Sequence, residues 1–278
     1  MSEKAAEVSA AEAAAWALEA QQGGEPVALA TVVSAPGRQA VGRRLVVSGA
    51  SLHGTLGGPE LDERVAALAR EMLAVRERGV REMEGPGGKW EIYIEPQHAI
   101  PELLIVGAGH IARPLCRLGA MLGFRVTVLD DRPEFATKEH FPEAERVGVI
   151  DFGDPFARLA IGPDSYVVLV TRGHKYDYDC IQHLLKMDAR PAYLGMIGSR
   201  RRVRATFEAL VGDGIEPARL EDVHAPIGLD IGAETPEEIA LAIAGEIVAT
   251  RRSGAGGRLS DEERVLDRVA RSSRPEGD

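Results

Sequence analysis

Residues 101–131, PELLIVGAGHIARPLCRLGAMLGFRVTVLDD, decide the fold of this chain. The apolar run at residues 103–106 leads directly into a glycine turn at residues 107–112, and an apolar-periodic segment follows. A second apolar run, residues 126–129, stops at Asp130. This order of strand, glycine turn, helix and strand, closed by an acidic residue, is the dinucleotide-binding fingerprint in its GxGxxA form.

Each small residue of the fingerprint has a physical role. Gly107 permits the tight turn, Gly109 lets the backbone approach a pyrophosphate, and Ala112 lets the helix pack closely on the strand. The pyrophosphate is expected at the helix N-terminus, where unpaired N–H groups and the helix dipole favour an anion. Asp130 is expected to bind a ribose. The alternative is a glycine pair that shapes a helix turn and binds no ligand.

The composition excludes several classes of protein. The 278 residues are enough for two domains, and 45% hydrophobic residues is ordinary for a globular protein. A net charge of −10 argues against a nucleic-acid or anionic-membrane partner, because both need a basic surface. Cys116 and Cys180 form no CxxC pair, and neither a signal peptide nor a membrane-spanning run is recognisable. We therefore expect a cytoplasmic protein without a disulfide scaffold or a cysteine zinc site.

Residues 1–95 predict a small α+β domain. Its elements are, in order, a helix from the Ser9–Glu12 capping box to residues 23–24, strands at 26–34 and 43–47, a glycine-rich turn at 54–58, a helix that Gly79 ends, and a strand at 90–94. Residues 95–101 contain two prolines and no apolar period, so they are the predicted domain boundary.

Residues 101–251 predict a Rossmann-type α/β domain with a parallel sheet. Beyond the fingerprint, strands are predicted at 147–150, 166–170 and 192–197, with helices at about 178–187, from 198 to about 211, and from the Thr235 cap. Residues 225–233 are too rich in glycine for a regular element. Residues 252–278 form a polar tail, with one short helix from Ser260 and a disordered end.

Three segments are expected to meet at one edge of this sheet. Right-handed crossovers place the strand at 166–170 beside the strand at 103–106, and ligands bind where the strand order reverses, at the carboxyl ends of the strands. The predicted crevice residues are Gly107, Gly109, His110, Thr171, Arg172, Gly173, His174, Gly198, Ser199 and Arg200.

Several of these residues have a plainer alternative. The hydroxyl of Ser199 and the cation of Arg200 are predicted as a second anion contact, whereas the alternative is a solvated arginine-rich helix face. His110, His174 and Asp131 are either polar groups beside the ligand or ordinary surface residues. The residues around His174 lack a paired spacing such as HxxxH, so we predict no metal site.

With these motifs in view, residues 101–251 resemble the Rossmann domain of the xanthine dehydrogenase accessory factor family (XdhC/CoxI). The resemblance rests on five ordered motifs: LLIVGAGHIA, VTVLDDRPEFAT, VTRGHKYD, YLGMIGSRRRV and APIGLDIGAETPEEIA. Through these motifs it adds Asp131, Gly228 and Asp230 to the expected cofactor-binding residues. The first domain, with ALATVVSAPG and its glycine turn, is similar to the smaller N-terminal domain of the family.

The resemblance implies a maturation factor rather than a turnover enzyme. Such a protein binds the molybdenum cofactor, protects it during sulfuration, and delivers it to a molybdenum hydroxylase such as xanthine or carbon monoxide dehydrogenase. A cysteine desulfurase as a further partner and a homodimeric state are also implied. The cofactor, molybdopterin or its dinucleotide form, carries a phosphate or a pyrophosphate, which fits the predicted anion-binding edge.

This sequence departs from the family pattern at two positions. Many members have a cysteine after the N-terminal glycine turn, where this chain has Pro59. The usual THGH is here Thr171-Arg172-Gly173-His174, which adds a cation to the crevice. The loss of the cysteine leaves open an assembly protein that keeps the fold without the ligand.

The competing hypothesis is an NAD(P)-dependent oxidoreductase that uses the same fingerprint. Asp130 favours NAD over NADP, because a carboxylate repels a 2′-phosphate. Against this hypothesis, no proton donor with a supporting partner can be identified in the sequence.

Overall fold

The computed structural model describes residues 7–157, 159–188 and 190–261. The chain forms two units, of which the first ends at Ile100 and the second begins at Pro101. The elements of the first unit are α1 (Ala10–Gln21), β1 (Val27–Ser34), β2 (Arg44–Val47), β3 (Leu52–Gly54), α2 (Pro59–Ala74), β4 (Gly79–Gly85) and β5 (Gly88–Gln97).

The first unit is an antiparallel sheet with a helix on each face, as the predicted α+β class requires. Its strand order is β3-β2-β1-β5-β4, and β1 and β2, which correspond to the strands predicted at 26–34 and 43–47, are antiparallel neighbours. Apolar residues of α2 pack with Ala28, Ala30 and Ile92 on one face of the sheet, and α1 packs with Val27 and Leu29 on the other. The alternation of strand side chains between two faces therefore fills two small cores.

Two strands of this unit were not predicted, and one helix end was placed wrongly. Gly79 does not end α2, because the helix already ends at Ala74 and Gly79 starts β4, where it pairs with Ile94. β4 is an edge strand without a buried side chain, and β3 has only three residues. Neither strand carries the apolar alternation that identifies a strand in a sequence.

The second unit is built on six parallel strands. Its elements are β6 (Glu102–Val106), α3 (Ala112–Met121), β7 (Arg125–Asp130), β8 (Arg146–Val149), β9 (Ser165–Leu169), α4 (His174–Lys186), β10 (Tyr193–Met196), α5 (Arg200–Gly212), α6 (Pro217–Leu220), β11 (Val223–His224) and α7 (Pro236–Arg252). The strand order is β11-β10-β9-β6-β7-β8. Numbered from β6, this is the doubly wound order 3-2-1-4-5-6 of dinucleotide-binding folds, with its reversal between β6 and β9.

Helices cover both faces of this sheet, which explains the continuous apolar strands in the sequence. On one face, Leu103, Ile105 and Val168 pack with buried residues of α3 and α7. On the other face, Leu104 and Val167 pack with buried residues of α4 and α5. The expectation that β6 and β9 are neighbours is confirmed, with Leu103 paired to Tyr166 and Val106 to Leu169.

Three further details of the second unit differ from the sequence analysis. α4 begins at His174, four residues before the predicted start, because Gly173 is extended and serves as its N-cap. α6 and the two-residue strand β11 were not predicted. Most of the helix predicted from Ser260, and the predicted disordered end, lie outside the described residues. No helix in the described part of the chain is long and apolar enough to cross a membrane.

Candidate functional site

The glycine turn after β6 has the tight geometry expected of the fingerprint. Gly107 has a φ of +108°, and a Cβ atom at this position would lie 2.5 Å from the carbonyl oxygen of Val170. An L-amino acid at Gly107 would therefore be strained in its backbone and would also clash with the segment that follows β9. The turn and that segment are in direct contact, as the predicted crevice requires.

The turn leaves three consecutive N–H groups without a partner. The N–H of Ala108 donates to Asp130, whereas those of Gly109, His110 and Ile111 donate to no other described residue. A Cβ added at Gly109 would meet no atom within 4 Å, so open space lies beside this residue. Ala112 is buried at the start of α3. Unpaired donors at a helix N-terminus with space beside them fit a phosphate group.

Asp130 holds the glycine turn in place through hydrogen bonds, and its carboxylate has no free position to accept a further hydrogen bond. Its side chain is 3% exposed. One carboxylate oxygen accepts from Ala108 N at 2.7 Å and from Arg132 Nη2 at 2.9 Å. The other accepts from Arg132 N at 3.0 Å and from Arg132 Nε at 2.8 Å. Four donors saturate the roughly four lone-pair positions of a carboxylate, so no position remains for a ribose hydroxyl in this arrangement.

The neighbouring Asp131 is more accessible and is paired with Arg172. The guanidinium donates to the two carboxylate oxygens of Asp131 at 2.5 and 2.7 Å, and its carbon lies 4.5 Å from the ring centre of Tyr176. This pair raises the pKa of Arg172, which stays protonated. Because β6 lies between β7 and β9 in the sheet, the Asp131–Arg172 pair spans the carboxyl end of β6. The cation predicted in the crevice is therefore next to the glycine turn.

A second buried carboxylate joins the ends of β9 and β10. Asp177, in the first turn of α4, is fully buried. It accepts a 2.5 Å hydrogen bond from the hydroxyl of Thr171 and an ion-paired hydrogen bond from Arg202 of α5. Burial raises the pKa of Asp177, and the bonds from Thr171 and Arg202 oppose that shift. The chain of contacts from Thr171 to Arg202 joins two of the three predicted crevice segments.

The third segment begins α5. Gly198 precedes the N-cap Ser199, whose hydroxyl oxygen accepts from the N–H of Arg202 at 3.3 Å. Arg200 is exposed, and no acidic side chain pairs with it in the described part of the chain. Arg201 and Arg204 are exposed in the same way, so the cluster is a solvated face apart from Arg202. Arg200 remains a predicted anion contact.

His174 lies close to this segment. It is exposed and, with Ser199, Arg201, Arg202 and Ala205, lines a cavity of about 440 Å³. Gly173, which precedes it, is the extended N-cap of α4.

Together, α3, α4 and α5 start at the carboxyl edge of the sheet, each with a partial positive charge of about +0.5 at its N-terminus. The edge therefore attracts anions although the whole chain is acidic.

The structure places Gly228 and Asp230 in a loop after β11. Gly228 has a φ of +103°, packs against Ala242 of α7, and donates its N–H to Glu246 at 2.9 Å. Burial alone would raise the pKa of Glu246, but hydrogen bonds from His224, Tyr193 and Gly228 lower it. Asp230 is exposed and forms no hydrogen bond or ion pair with the other candidate residues in the described part of the chain. Cofactor binding by Gly228 and Asp230 remains a prediction.

The thiols of the chain are not accessible. Cys116 and Cys180, the only two cysteines in the sequence, are fully buried. Burial raises the pKa of Cys116 to about 11, and it also raises the pKa of Cys180. Pro59 occupies the first position of α2. Among the described residues, no three His, Cys, Asp or Glu side chains are grouped in a way that could hold a metal ion.

Sequence reasoning missed the partners Arg132 and Arg202, and it considered Asp177 only as one of the residues around His174 for which no metal site was predicted. Asp177 lies at helical spacing with the buried residues Cys180, Ile181 and Leu184. A carboxylate on this apolar face is costly to bury without a cation or a hydrogen-bond donor, so the pattern could have predicted a buried partner for Asp177. Arg202 is adjacent to the buried Val203, whereas nothing in the sequence singles out Arg132.

Comparison with known proteins identifies two matching families. The second unit matches the XdhC Rossmann domain over residues 103–247, and the first matches the XdhC and CoxI family over residues 20–83. The chain is 30% identical over 250 residues to YqeB, an uncharacterized protein of Escherichia coli K12, covering 84% of this chain and 45% of the relative. It is 33% identical over 159 residues to a probable xanthine dehydrogenase subunit of Bacillus subtilis, covering 57% of this chain and 44% of the relative. The chain thus spans less than half the length of either relative.

One solved structure has a similar fold. A crystal structure described as a xanthine dehydrogenase from Bacillus halodurans aligns with a TM-score of 0.50 and 19% sequence identity. The alignment covers 88% of this chain and 96% of that one. At this identity the similarity shows the fold alone.

Proposed function

Since the chain belongs to the XdhC and CoxI family, we propose that it binds a molybdenum cofactor and delivers it to a molybdenum hydroxylase of the xanthine or carbon monoxide dehydrogenase type. The name of the Bacillus subtilis relative supports an association with xanthine dehydrogenase. In this proposal the phosphate of the cofactor binds at the carboxyl edge of the parallel sheet, and the protein is a maturation factor that holds the cofactor during its sulfuration and then releases it.

The observation that carries the proposal is the anion-binding geometry of the glycine turn. Three unpaired N–H groups at Gly109, His110 and Ile111 face open space at the start of α3. Arg172 brings a permanent cation to the same end of β6. Because these backbone donors and this cation are already in position, binding a phosphate loses little conformational entropy.

The chain itself has no thiolate with which to carry sulfur. Both cysteines are buried with raised pKa values, and Pro59 stands where many family members have a cysteine. We therefore propose that the protein holds and shields the cofactor, while a cysteine desulfurase supplies the sulfur directly. The bound cofactor contributes the molybdenum chemistry, and this chain contributes binding, orientation and exclusion of water.

A transfer assay tests the proposal. The purified chain loaded with molybdenum cofactor is mixed with a cofactor-free molybdenum hydroxylase, and the recovered activity is compared with that from an equal amount of free cofactor. We expect higher recovery with the loaded chain, because the bound cofactor is protected until it is handed over. Equal recovery with and without the chain would contradict the delivery role.

The oxidoreductase alternative makes a different prediction in the same preparation. Steady multiple-turnover reduction of NAD with an alcohol, aldehyde or hydroxy acid, followed by nicotinamide absorbance, would favour that alternative. We expect none, because no acid–base pair placed for hydride chemistry is found among the described crevice residues.

A further inference from the structure

A second cavity, which shares no lining residue with the Ser199 cavity, lies at the carboxyl edge of the parallel sheet. It has a volume of about 580 Å³ and is lined by Asp131 after β7, by Asp151 and Phe152 after β8, and by Lys175, Tyr176 and Asp179 of α4. It therefore opens at the carboxyl ends of β7 and β8. In dinucleotide-binding folds the acidic residue of the fingerprint binds the ribose, so a nucleoside is expected on this side of the sheet. Its volume is within the range of small-ligand sites.

We infer that this cavity binds the nucleoside of a pyrophosphate-linked ligand, and that Asp131 is the carboxylate that binds its ribose hydroxyls. This inference rests on the proposed function, which places a phosphate at the glycine turn. It specifies the ligand class, because a cofactor in its dinucleotide form would occupy both the turn and the cavity.

The choice of Asp131 over Asp130 follows from their hydrogen bonds. Asp130 accepts four donors from Ala108 and Arg132 and is 3% exposed. Asp131 accepts two donors from Arg172, is 25% exposed, and lines the cavity. A carboxylate has about four accepting positions, so Asp131 keeps about two for hydroxyl groups and Asp130 keeps none.

The charge of the cavity favours a nucleoside over a phosphate group as its occupant. With Asp131 paired to Arg172, Asp151 and Asp179 still outnumber the single lysine of the lining, Lys175, so the cavity disfavours an anion. The carboxylate of Asp179 accepts no hydrogen bond from another described residue. It is available to the amino group of a base, while Phe152 and Tyr176, with ring centres 4.4 Å apart, provide an aromatic surface.

Calorimetry with simple probes tests the inference. Inorganic pyrophosphate is compared with ADP, GDP and CDP, and the tightest of these is compared with its 2′,3′-dideoxy form. We expect at least one nucleoside diphosphate to bind about tenfold to a hundredfold tighter than pyrophosphate, with that margin reduced in the dideoxy form, as for one hydrogen bond to a charged group. This comparison uses the wild-type protein alone.

Substitutions then locate the contact. Asp131→Asn should remove the preference for the ribose hydroxyls, measured within the variant as the ratio of its affinities for the nucleoside diphosphate and the dideoxy form. Pyrophosphate binding should not be weakened, because the substitution frees Arg172 from its anionic partner. Asp154→Asn is the matched control, because Asp154 is exposed and does not line the cavity. An Asp131→Asn protein that keeps the full hydroxyl preference would overturn the assignment of Asp131.

The inference and the proposed function fail in different ways. If molybdopterin and pyrophosphate bind but no nucleoside diphosphate binds tighter than pyrophosphate, the nucleoside site does not exist and the phosphate site stands. If neither pyrophosphate nor molybdopterin binds, the proposed function and the inference are both wrong.

Discussion

At the scale of single residues, two adjacent aspartates have different tasks. Asp130 is the fingerprint acid by its position, yet its carboxylate holds the backbone of Ala108 and the side chain of Arg132. Asp131 extends toward Arg172 and remains partly exposed. The spacing of the fingerprint predicts an acid at this strand end, but the conformation of a nearby arginine decides which carboxylate is accessible.

Asp130 should make the stability of the protein depend on pH. Burial alone would raise its pKa, but hydrogen bonds from Arg132 and Ala108 lower it to about 2, against about 3.9 in an unfolded chain. A lowered pKa in the folded state gives stability that is present above pH 4 and lost as the pH falls toward 2. The shift corresponds to about 2.5 kcal/mol of unfolding free energy.

Asp130→Asn should therefore destabilise the protein at pH 7 by at least about 2 kcal/mol, and this pH-dependent part of the difference should shrink between pH 4 and 2. Urea unfolding at several pH values measures it. Asp154→Asn, at an exposed position, should change the unfolding free energy by less than about 0.5 kcal/mol. A constant difference between the wild type and Asp130→Asn at every pH would show that the Asp130 pKa is not lowered by folding.

At the scale of the elements, a buried aspartate fastens each of three turns. Asp130 holds the turn before α3, and Asp177 holds Thr171 before α4. In the first unit, Asp62 of α2 accepts from the hydroxyl of Thr55 and from the N–H of Leu56. Turns leave backbone and hydroxyl donors without partners, and a carboxylate from a neighbouring element satisfies them.

The sequence predicts much of this arrangement, and the missing parts have physical reasons. The glycine turn is predictable because only glycine readily adopts its backbone conformation. The adjacency of β6 and β9 is predictable because crossover connections between parallel strands are right-handed. β4 is not predictable from apolar alternation, because it buries no side chain. The contact of Arg202 with the buried Asp177 is not predictable, because it depends on the residue at which α5 begins. That start puts Arg202 on the same turn of α5 as the buried Val203.

Arg202 and Arg204 provide a matched pair of substitutions on one helix. Arg202→Ala leaves the buried carboxylate of Asp177 without its cation, so we expect a loss of about 3–5 kcal/mol in the unfolding free energy at pH 7. Without Arg202 the folded-state pKa of Asp177 should rise further above its unfolded value. The variant should then be most stable at low pH and lose stability as the pH rises.

Arg204→Ala removes an exposed arginine from the same helix and should change the unfolding free energy by less than about 0.5 kcal/mol. Chemical denaturation of both variants and the wild type at pH 5 and pH 8 gives the comparison. Equal stability of the two variants would mean that the Asp177–Arg202 pair contributes nothing to the fold.

At the scale of the whole molecule, an acidic chain presents a local anion site. The net charge is −10, yet three helices begin at the edge where Arg172 crosses the end of β6. Backbone dipoles and one fixed arginine create this local potential, which net charge alone does not reveal. The fold class and family follow from the sequence, whereas the separation of a phosphate region from an acidic cavity required the structure.

The central claim is that a phosphate-bearing molybdenum cofactor binds at the glycine turn. Gly109 allows a direct test, because its φ lies outside the left-handed region and an added Cβ would meet no atom within 4 Å. Gly109→Asp should therefore fold normally while placing a negative charge beside the unpaired N–H groups. Gly109→Ala adds a methyl group without charge, and Gly162→Asp adds the same charge in an open position before β9, at the opposite edge of the sheet.

Calorimetric titration of these proteins with molybdopterin cofactor is the most direct measurement. We predict that Gly109→Asp weakens binding by about tenfold or more, from the loss of at least one charge-assisted hydrogen bond, at an unchanged melting temperature. Gly162→Asp should bind like the wild type, and Gly109→Ala should lie between the two. Wild-type affinity in a folded Gly109→Asp protein would contradict the account, because the cofactor would then bind elsewhere.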